Sequence, residues 1–243
     1  MRYFYKDKEI HSKEEWKLAF CESYSGKEDD KHWKPGRSGE RLAEDFMGEN
    51  PCGENTMVEM VKKLIGAEKV SLDIARIEHA SVFDSHPRPR IQDLAIWGHA
   101  DGKKIFIGVE AKVDESFGSV SLSQQKAKVE KMKNEGVSTK AGLRLDELIR
   151  DFLGNDIENH GNLRYQLLYY LAGSFREQNA DIIFMPVIVY RSNLYDVKKG
   201  NTNHKAYQAF MDKMLDKVGD DIYYKRLTIN GITKDVYSCY IVK

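Results

Sequence analysis

The sequence predicts an α/β protein with a mixed central sheet flanked by helices. Three observations predict it. Asp93 to Lys112, DLAIWGHADGKKIFIGVEAK, sets two alternating, branched and aromatic runs around Asp101-Gly102. Asp-Gly between such runs signals a hairpin, because both centres of a type I′ turn need positive φ. The run DIIFMPVIVY, Asp181 to Tyr190, is nearly all apolar, as a strand buried on both faces should be. The order helix, strand, strand, strand, helix, strand places these elements in one mixed sheet.

Taken in order, residues 1–10 predict a short strand or ordered arm. Ser12 with Glu15 reads as a capping box opening a helix to about Ser23. Tyr24 to Gly36 is polar and reads as a loop. Ser38 is expected to cap a second helix, closed near Gly48, with Leu42, Ala43 and Phe46 on its apolar face. Thr56 and Glu59 suggest another capping box before a helix from Met57 to Ile65, ended by Gly66. Val70 to Phe83 alternates and predicts a long, bent strand, with Val70, Leu72 and Ile74 on one side and Ala75, Ile77 and His79 on the other. A Pro-rich link, His86 to Arg90, enters the central hairpin.

After the hairpin comes a loop, Asp114 to Gly118. Residues 122–134 predict a very polar helix and Leu143 to Leu153 a short amphipathic one; residues 119–158 read as a helical insertion over one side of the site. Asn162 to Glu177 and His204 to Val218 predict two further helices. Pro186 inside the apolar strand argues for an edge position or a bulge. Residues 222–242 read as a C-terminal hairpin turning at Asn230-Gly231.

The chain of 243 residues is 41% hydrophobic and 31% charged, and its Lys and Arg balance its Asp and Glu to a net charge of zero. That speaks against a wholesale electrostatic nucleic-acid binder. The basic stretches Lys34-Arg37, Arg88-Arg90, Lys126-Lys133 and Lys198-Lys199 read as solvated surface. No apolar run approaches the ~20 residues of a membrane span, and the N-terminus lacks the apolar core of a signal peptide. Cys21, Cys52 and Cys239 are widely spaced and odd in number. They predict neither a disulfide framework nor a zinc site, and fit a reduced, cytoplasmic setting.

Chemistry concentrates in the central hairpin. With Asp101 and Gly102 at the turn, facing residue numbers sum to 203: Trp97 with Phe106, Ala95 with Gly108, Asp93 with Glu110. Lys112 shares the face of Glu110. Facing Cβ atoms lie roughly 4.5–5.5 Å apart, and facing like charges destabilise a sheet. Such a pair calls for a positive partner, and a divalent oxygen-loving ion such as Mg²⁺ fits. The plainer reading is a structural ion-pair cluster with Lys112. Trp97 with Phe106 reads as cross-strand packing, and His79, His86 and His99 as incidental neighbours.

Asp93, sixteen residues, then Glu110-Ala111-Lys112 resembles the Asp…Glu-x-Lys signature of the PD-(D/E)XK nuclease superfamily. Gln166-Leu-Leu-Tyr-Tyr170 is similar to the Gln-x-x-x-Tyr motif of its exonuclease-like branch, and GVEAKVDESFG resembles a group of uncharacterised bacterial proteins within it. Gln92 stands where the family often has proline. The resemblance implies a restriction-endonuclease-like αβββαβ core over about 38–190, within a single domain of residues 1–243. The helical insertion at about 119–158 and a C-terminal extension at 191–243 are additions. Either 122–134 or 162–177 is then the second core helix.

The resemblance further implies a site. Asp93, Glu110 and the Ala111 carbonyl would bind Mg²⁺ or Mn²⁺, and Glu44, favoured over Glu40, would complete the site or hold a second ion. Lys112 would orient or deprotonate a water. Gln166 and Tyr170 would position the phosphate backbone, with Arg88 and Arg90 as further phosphate contacts. The function implied is a metal-dependent nuclease hydrolysing DNA phosphodiester bonds. A catalytically silent nucleic-acid or protein-binding module of a defence or repair assembly is the alternative. A phosphohydrolase acting on RNA or nucleotides is the third.

Overall fold

Asp101 and Gly102 turn the central hairpin at φ of 46° and 81°, so both positions adopt the left-handed geometry that the Asp-Gly pair foretold. The Asp101 carboxylate also accepts the backbone N–H groups of Glu68 (3.2 Å) and Lys69 (2.9 Å), tying the turn to the preceding loop. Around this hairpin the computed structural model describes residues 1–24, 33–82, 84–86, 89–137, 140–154 and 156–243. Phe83 and Arg88, and most of the loop expected over Tyr24 to Gly36, lie outside the described residues.

The chain begins with β1 (Arg2–Tyr5) and β2 (Lys8–Ile10), then helices α1 (Lys13–Tyr24), α2 (Ser38–Met47) and α3 (Gly53–Ile65). Strands β3 (Val70–Ser81), β4 (Arg90–Ala100) and β5 (Lys103–Lys112) form an antiparallel meander. Helices α4 (Leu122–Asn134), α5 (Ala141–Leu153), α6 (Ile157–His160) and α7 (Tyr165–Phe175) lead to β6 (Ile182–Val189). Helix α8 (Val197–Met214) and strands β7 (Asp216–Gly219), β8 (Ile222–Ile229) and β9 (Ile232–Val242) follow. The strands make one mixed sheet in the order β2-β1-β3-β4-β5-β6-β9-β8-β7. Its parallel contacts are β1 with β3, β5 with β6, and β6 with β9.

One face of the sheet packs on α1–α3 through Trp16, Leu42, Phe46 and Met57; the other packs on α5, α7 and α8 through Leu148, Leu167, Tyr207 and Phe210. Both ends of the chain therefore extend the sheet: β1 adds to β3, and β9 adds to β6. No helix among the described residues is long and apolar enough to cross a membrane. The three cysteines are free.

Several expectations are corrected in detail. Ser38 does not cap α2: Arg37 holds the cap position, and the Ser38 hydroxyl donates instead to Glu115 at 2.7 Å. Helix α3 starts at Gly53, ahead of the supposed capping box, and the Thr56 hydroxyl donates back to the Cys52 carbonyl. Helix α8 starts at Val197, where Asp196 accepts from the Lys199 N–H. In β3 an extra residue, Asp73, falls between the pairs Leu72–Gly98 and Ile74–Trp97. This bulge shifts the alternation. Leu72, Ala75 and Ile77 share the face toward α1–α3, and Ile74 is turned outward.

Pro186 lies in the interior of the sheet and not at an edge. β6 pairs with β5 at Ile107–Phe184 and resumes at Glu110–Val187, so the ladder lapses opposite Met185 and Pro186. On the other side β6 pairs with β9 without a break, Pro186 opposite Cys239. The missing proline N–H thus faces β5. The Tyr170 hydroxyl takes its place, donating to the Gly108 carbonyl in the lapsed stretch.

Gly98 sits beside the β3 bulge, where a Cβ would collide with the Ser71 carbonyl and approach the Leu72 backbone at 3.1 Å. Gly98→Ala is expected to cost about 1–3 kcal/mol, read as a lower urea midpoint at unchanged slope.

Candidate active site

The β4–β5 register holds the predicted sum of 203 from Ala100–Lys103 to Leu94–Val109, which puts Asp93 and Glu110 next in line. Trp97 meets Phe106 edge-on at 5.3 Å, as cross-strand packing. At Asp93 the strand turns over. Leu94 packs toward α1–α3, yet Gln92, two residues away, reaches the opposite face and donates to Ser174 of α7 at 3.2 Å. The partner strand turns over at the same level. Ile77 packs toward α1–α3, whereas His79 stacks edge-on against Trp97, and Glu78 between them has φ of 50°. A non-glycine residue held there marks local strain. The flanking pairs Ile77–Leu94 and His79–Gln92 set Glu78 opposite Asp93.

Glu110 is 2% exposed and held from three sides. Lys112 donates to it at 2.6 Å, Gln166 at 3.0 Å, and Arg90 pairs with its other oxygen. The Asp93 carboxylate accepts the Ala111 N–H at 2.7 Å. Asp93, Glu78 and Lys112 line a cavity of about 220 Å³ between the strand ends and α1, whose opposite wall is Trp16, Phe20 and Tyr24. Arg37 and Glu115 also border it. Glu115 takes hydrogen bonds from Ser38 and from the Val113 N–H at 2.8 Å. A larger cavity, about 680 Å³, lies at the other end of the sheet by Lys104, Asp181 and Lys234, and meets none of the expected site residues.

The charges are mutually tuned. Burial pushes the Glu110 carboxyl up, but the Arg90 and Lys112 charges outweigh it and hold it below the usual range. Burial, then Glu110, push Asp93 from its ordinary 3.8 to about 7, with Lys112 and Arg90 opposing. Burial, then Asp93, push Glu78 well above a normal glutamate. Burial lowers Lys112 and Arg90, yet neighbouring carboxylates raise both overall. The site therefore holds one firmly ionised carboxylate, Glu110, beside two that readily keep a proton.

Some expected residues converge here and others do not. Asp93, Glu110, Ala111, Lys112 and Gln166 meet. Glu44 and Glu40 instead share Lys13 of α1, at 2.6 and 2.5 Å, and do not line the cavity. Tyr170 is 1% exposed, with its hydroxyl donated to the carbonyls of Gly108 and, at 3.2 Å, Pro186. It braces the sheet and is not placed to touch a substrate. Arg90 is buried against Glu110 and the Tyr170 ring and is an internal counterion, not a surface phosphate contact. His79, His86 and His99 pair with Glu177, Glu147 and Asp73.

Glu78 and the aromatic wall were missed. Glu78 meets Asp93 only through the β3–β4 register, which a link of unknown geometry hides. Phe20 and Tyr24 look like ordinary residues of an amphipathic helix.

A mixed-sheet α/β protein with a buried, charge-dense cluster at its strand ends and a small cavity above it is what the fold and the site define. The chain belongs to the family described as Domain of unknown function (DUF6946), whose model matches residues 9–239. No curated protein and no solved structure matches it.

Two outcomes follow. Tyr170→Phe leaves the Gly108 carbonyl facing a proline with no donor; a loss of about 1–3 kcal/mol is expected in urea unfolding. In metal-free buffer the folded protein keeps a proton on Asp93 that the unfolded chain has released. Stability should therefore fall as pH rises from about 4 to about 7 and level off above. Glu78 acts in the same direction. Asp93→Asn should flatten the fall, measured as urea midpoint against pH; an unchanged profile would count against the buried Asp93 proton.

Proposed function

We propose that the chain is a metal-dependent nuclease that hydrolyses phosphodiester bonds, DNA being the expected substrate. The observation that carries this reading is the meeting of Asp93, Glu110 and Lys112 at the strand ends, beside a cavity that reaches Asp93 and Lys112. The order of elements supports it. A helical layer, α2 and α3, precedes the meander β3-β4-β5; then come α7 and β6, parallel to β5. That order is the one a restriction-endonuclease-like αβββαβ core would have, with α7 in the place of its second helix, and it supports the reading. Asp93, Glu110 and the Ala111 carbonyl are hard oxygen donors of the kind Mg²⁺ and Mn²⁺ prefer.

Burial, then Glu110, raise the pKa of the Asp93 carboxyl to about 7, so a cation beside it would favour its ionised form. Among the described residues no three carboxylate, imidazole or thiolate groups are yet gathered closely enough to hold an ion. Binding therefore requires Glu110 to release Arg90 or Lys112. Glu78, opposite Asp93 and lining the same cavity, could join the site in place of Glu44. The bound ion would acidify a water and offset charge building on the phosphate. Lys112, kept charged by the neighbouring carboxylates, would orient that water and offset the developing negative charge. Gln166 fixes the Glu110 carboxylate, and Arg90 keeps it ionised.

One observation favours a second reading, a catalytically silent nucleic-acid or protein-binding module. Both Glu110 oxygens already have cationic partners, as a purely structural cluster would. The assay that separates the two offers linear, circular and single-stranded DNA, and RNA, with Mg²⁺ or Mn²⁺. Cleavage should require the metal and fall by about 10²–10⁴-fold in Lys112→Ala, in protein that still melts cooperatively, although at a lower temperature because Glu110 loses a buried partner. Wild-type rates in that variant would sink the enzyme reading, and folded protein inactive on every substrate would favour the binding module.

A further inference from the structure

The cavity of about 680 Å³ lies between the end of α7 and the β8–β9 turn, and it shares no lining residue with the one above Asp93. Its wall holds a residue that the strand pattern does not call for. Along β9, Ile232, Lys234 and Val236 point to one face, because side chains two apart do. Val236 is fully buried beneath the helices of that face, and Leu227, the partner of Lys234 on β8, packs against the same core. An apolar residue would suit position 234, yet a lysine stands there at 8% exposure. Lysine is rarely buried so far unless it is paired.

Its partners do not match its charge. The ammonium donates to the Glu177 carbonyl, just beyond α7, at 2.5 Å and lies 5.8 Å from the Phe175 ring. Among the described residues no carboxylate forms an ion pair with it. Glu177 turns its carboxylate to His79 and Ser81, and Asp181 accepts the Lys104 N–H. Both act on Lys234 from a distance, and burial outweighs them, so its pKa is lowered. An ammonium has three donors, and the carbonyl uses one. Burying a charge without a counterion is unfavourable, and an anion placed beside it would offset that.

The rest of the wall sets the kind of anion. Phe175 and Ile229 are buried and Ile232 is half exposed, so the space beside the ammonium has an apolar side. The volume falls within the roughly 300–1,000 Å³ of pockets that enclose small molecules. One ammonium balances one negative charge. A phosphate monoester, at about −1.5 to −2, would leave charge uncompensated near Glu177 and Asp181. We propose that this cavity binds a small organic monocarboxylate, its carboxylate on the Lys234 Nζ and its apolar body against Phe175, Ile229 and Ile232. The site is separate from the Asp93 cluster and does not rest on the nuclease reading.

The probes are 3-phenylpropionate and its neutral amide, titrated at neutral pH into the full chain and followed by the backbone amide signals in NMR spectra. The acid should bind with a dissociation constant of about 1 mM or tighter and shift the signals of residues 178–181 and 229–234. The amide should bind at least about tenfold more weakly, as loss of a charge-assisted hydrogen bond gives. Lys234→Met, which keeps the apolar stem and removes the charge, should abolish that difference. Lys217→Met, exposed on β7, should leave it unchanged. Ile232→Asp should weaken the acid about three- to tenfold beyond Ile232→Asn, an arm that stands even where Lys234→Met does not fold. A lysine that merely capped α7 would lower stability when replaced, without the acid being preferred over the amide. No binding of the acid, equal binding of acid and amide, shifts confined to other residues, or a difference that survives in folded Lys234→Met would each overturn the proposal.

Discussion

Glu110 is the group on which the rest of the structure depends. It sits at 2% exposure near the end of a central strand, where an unpaired carboxylate costs several kcal/mol after all relaxation. The fold answers with Arg90 from the start of β4, Lys112 from β5 and Gln166 from α7. Each partner comes from an element whose position must therefore be held. Arg90 is fixed by packing against Gly173 and the Tyr170 ring, where a Cβ on Gly173 would meet its side chain at 2.8 Å. The two cations, Arg90 and Lys112, favour an ionised Glu110, and that charge adds to burial in pushing Asp93 toward neutrality. Burial first, and that charge second, thus favour a proton on Asp93.

A second constraint runs through α7. Proline in an interior strand deletes one ladder donor, and here the gap faces Gly108, a residue small enough to let α7 approach. The Tyr170 hydroxyl fills that gap while Gln166, one turn earlier, reaches Glu110. The same helix therefore repairs the sheet and orients the charged cluster. The i, i+4 spacing has the meaning expected of it, two side chains on one face, but both address the strand β5.

The central hairpin was legible because its determinants are local. Turn chemistry at Asp101-Gly102 and strict alternation fixed a register that the structure reproduces pair by pair from Ala100–Lys103 to Leu94–Val109. The apolar run of β6 and the C-terminal turn at Asn230-Gly231 were legible for the same reason. What escaped was set by contacts remote in sequence. Asp73 looks like any polar position of an alternating strand until the Gly98 register makes it a bulge. Glu44 looks like the natural acidic neighbour until Lys13, 31 residues earlier, claims it.

The sequence by itself determined most of the elements, the hairpin register and the approach of Glu110, Lys112 and Asp93, because turn geometry and side-chain alternation act over a few residues. The tertiary structure alone decided what surrounds them. It set Glu78 opposite Asp93, buried Arg90 as a counterion, turned Tyr170 into the donor that Pro186 lacks, and laid the aromatic face of α1 over the cavity. Those outcomes depend on which faces meet when the sheet and helices pack, and on where a buried charge finds its partner. Neither is encoded in the spacing of neighbouring residues.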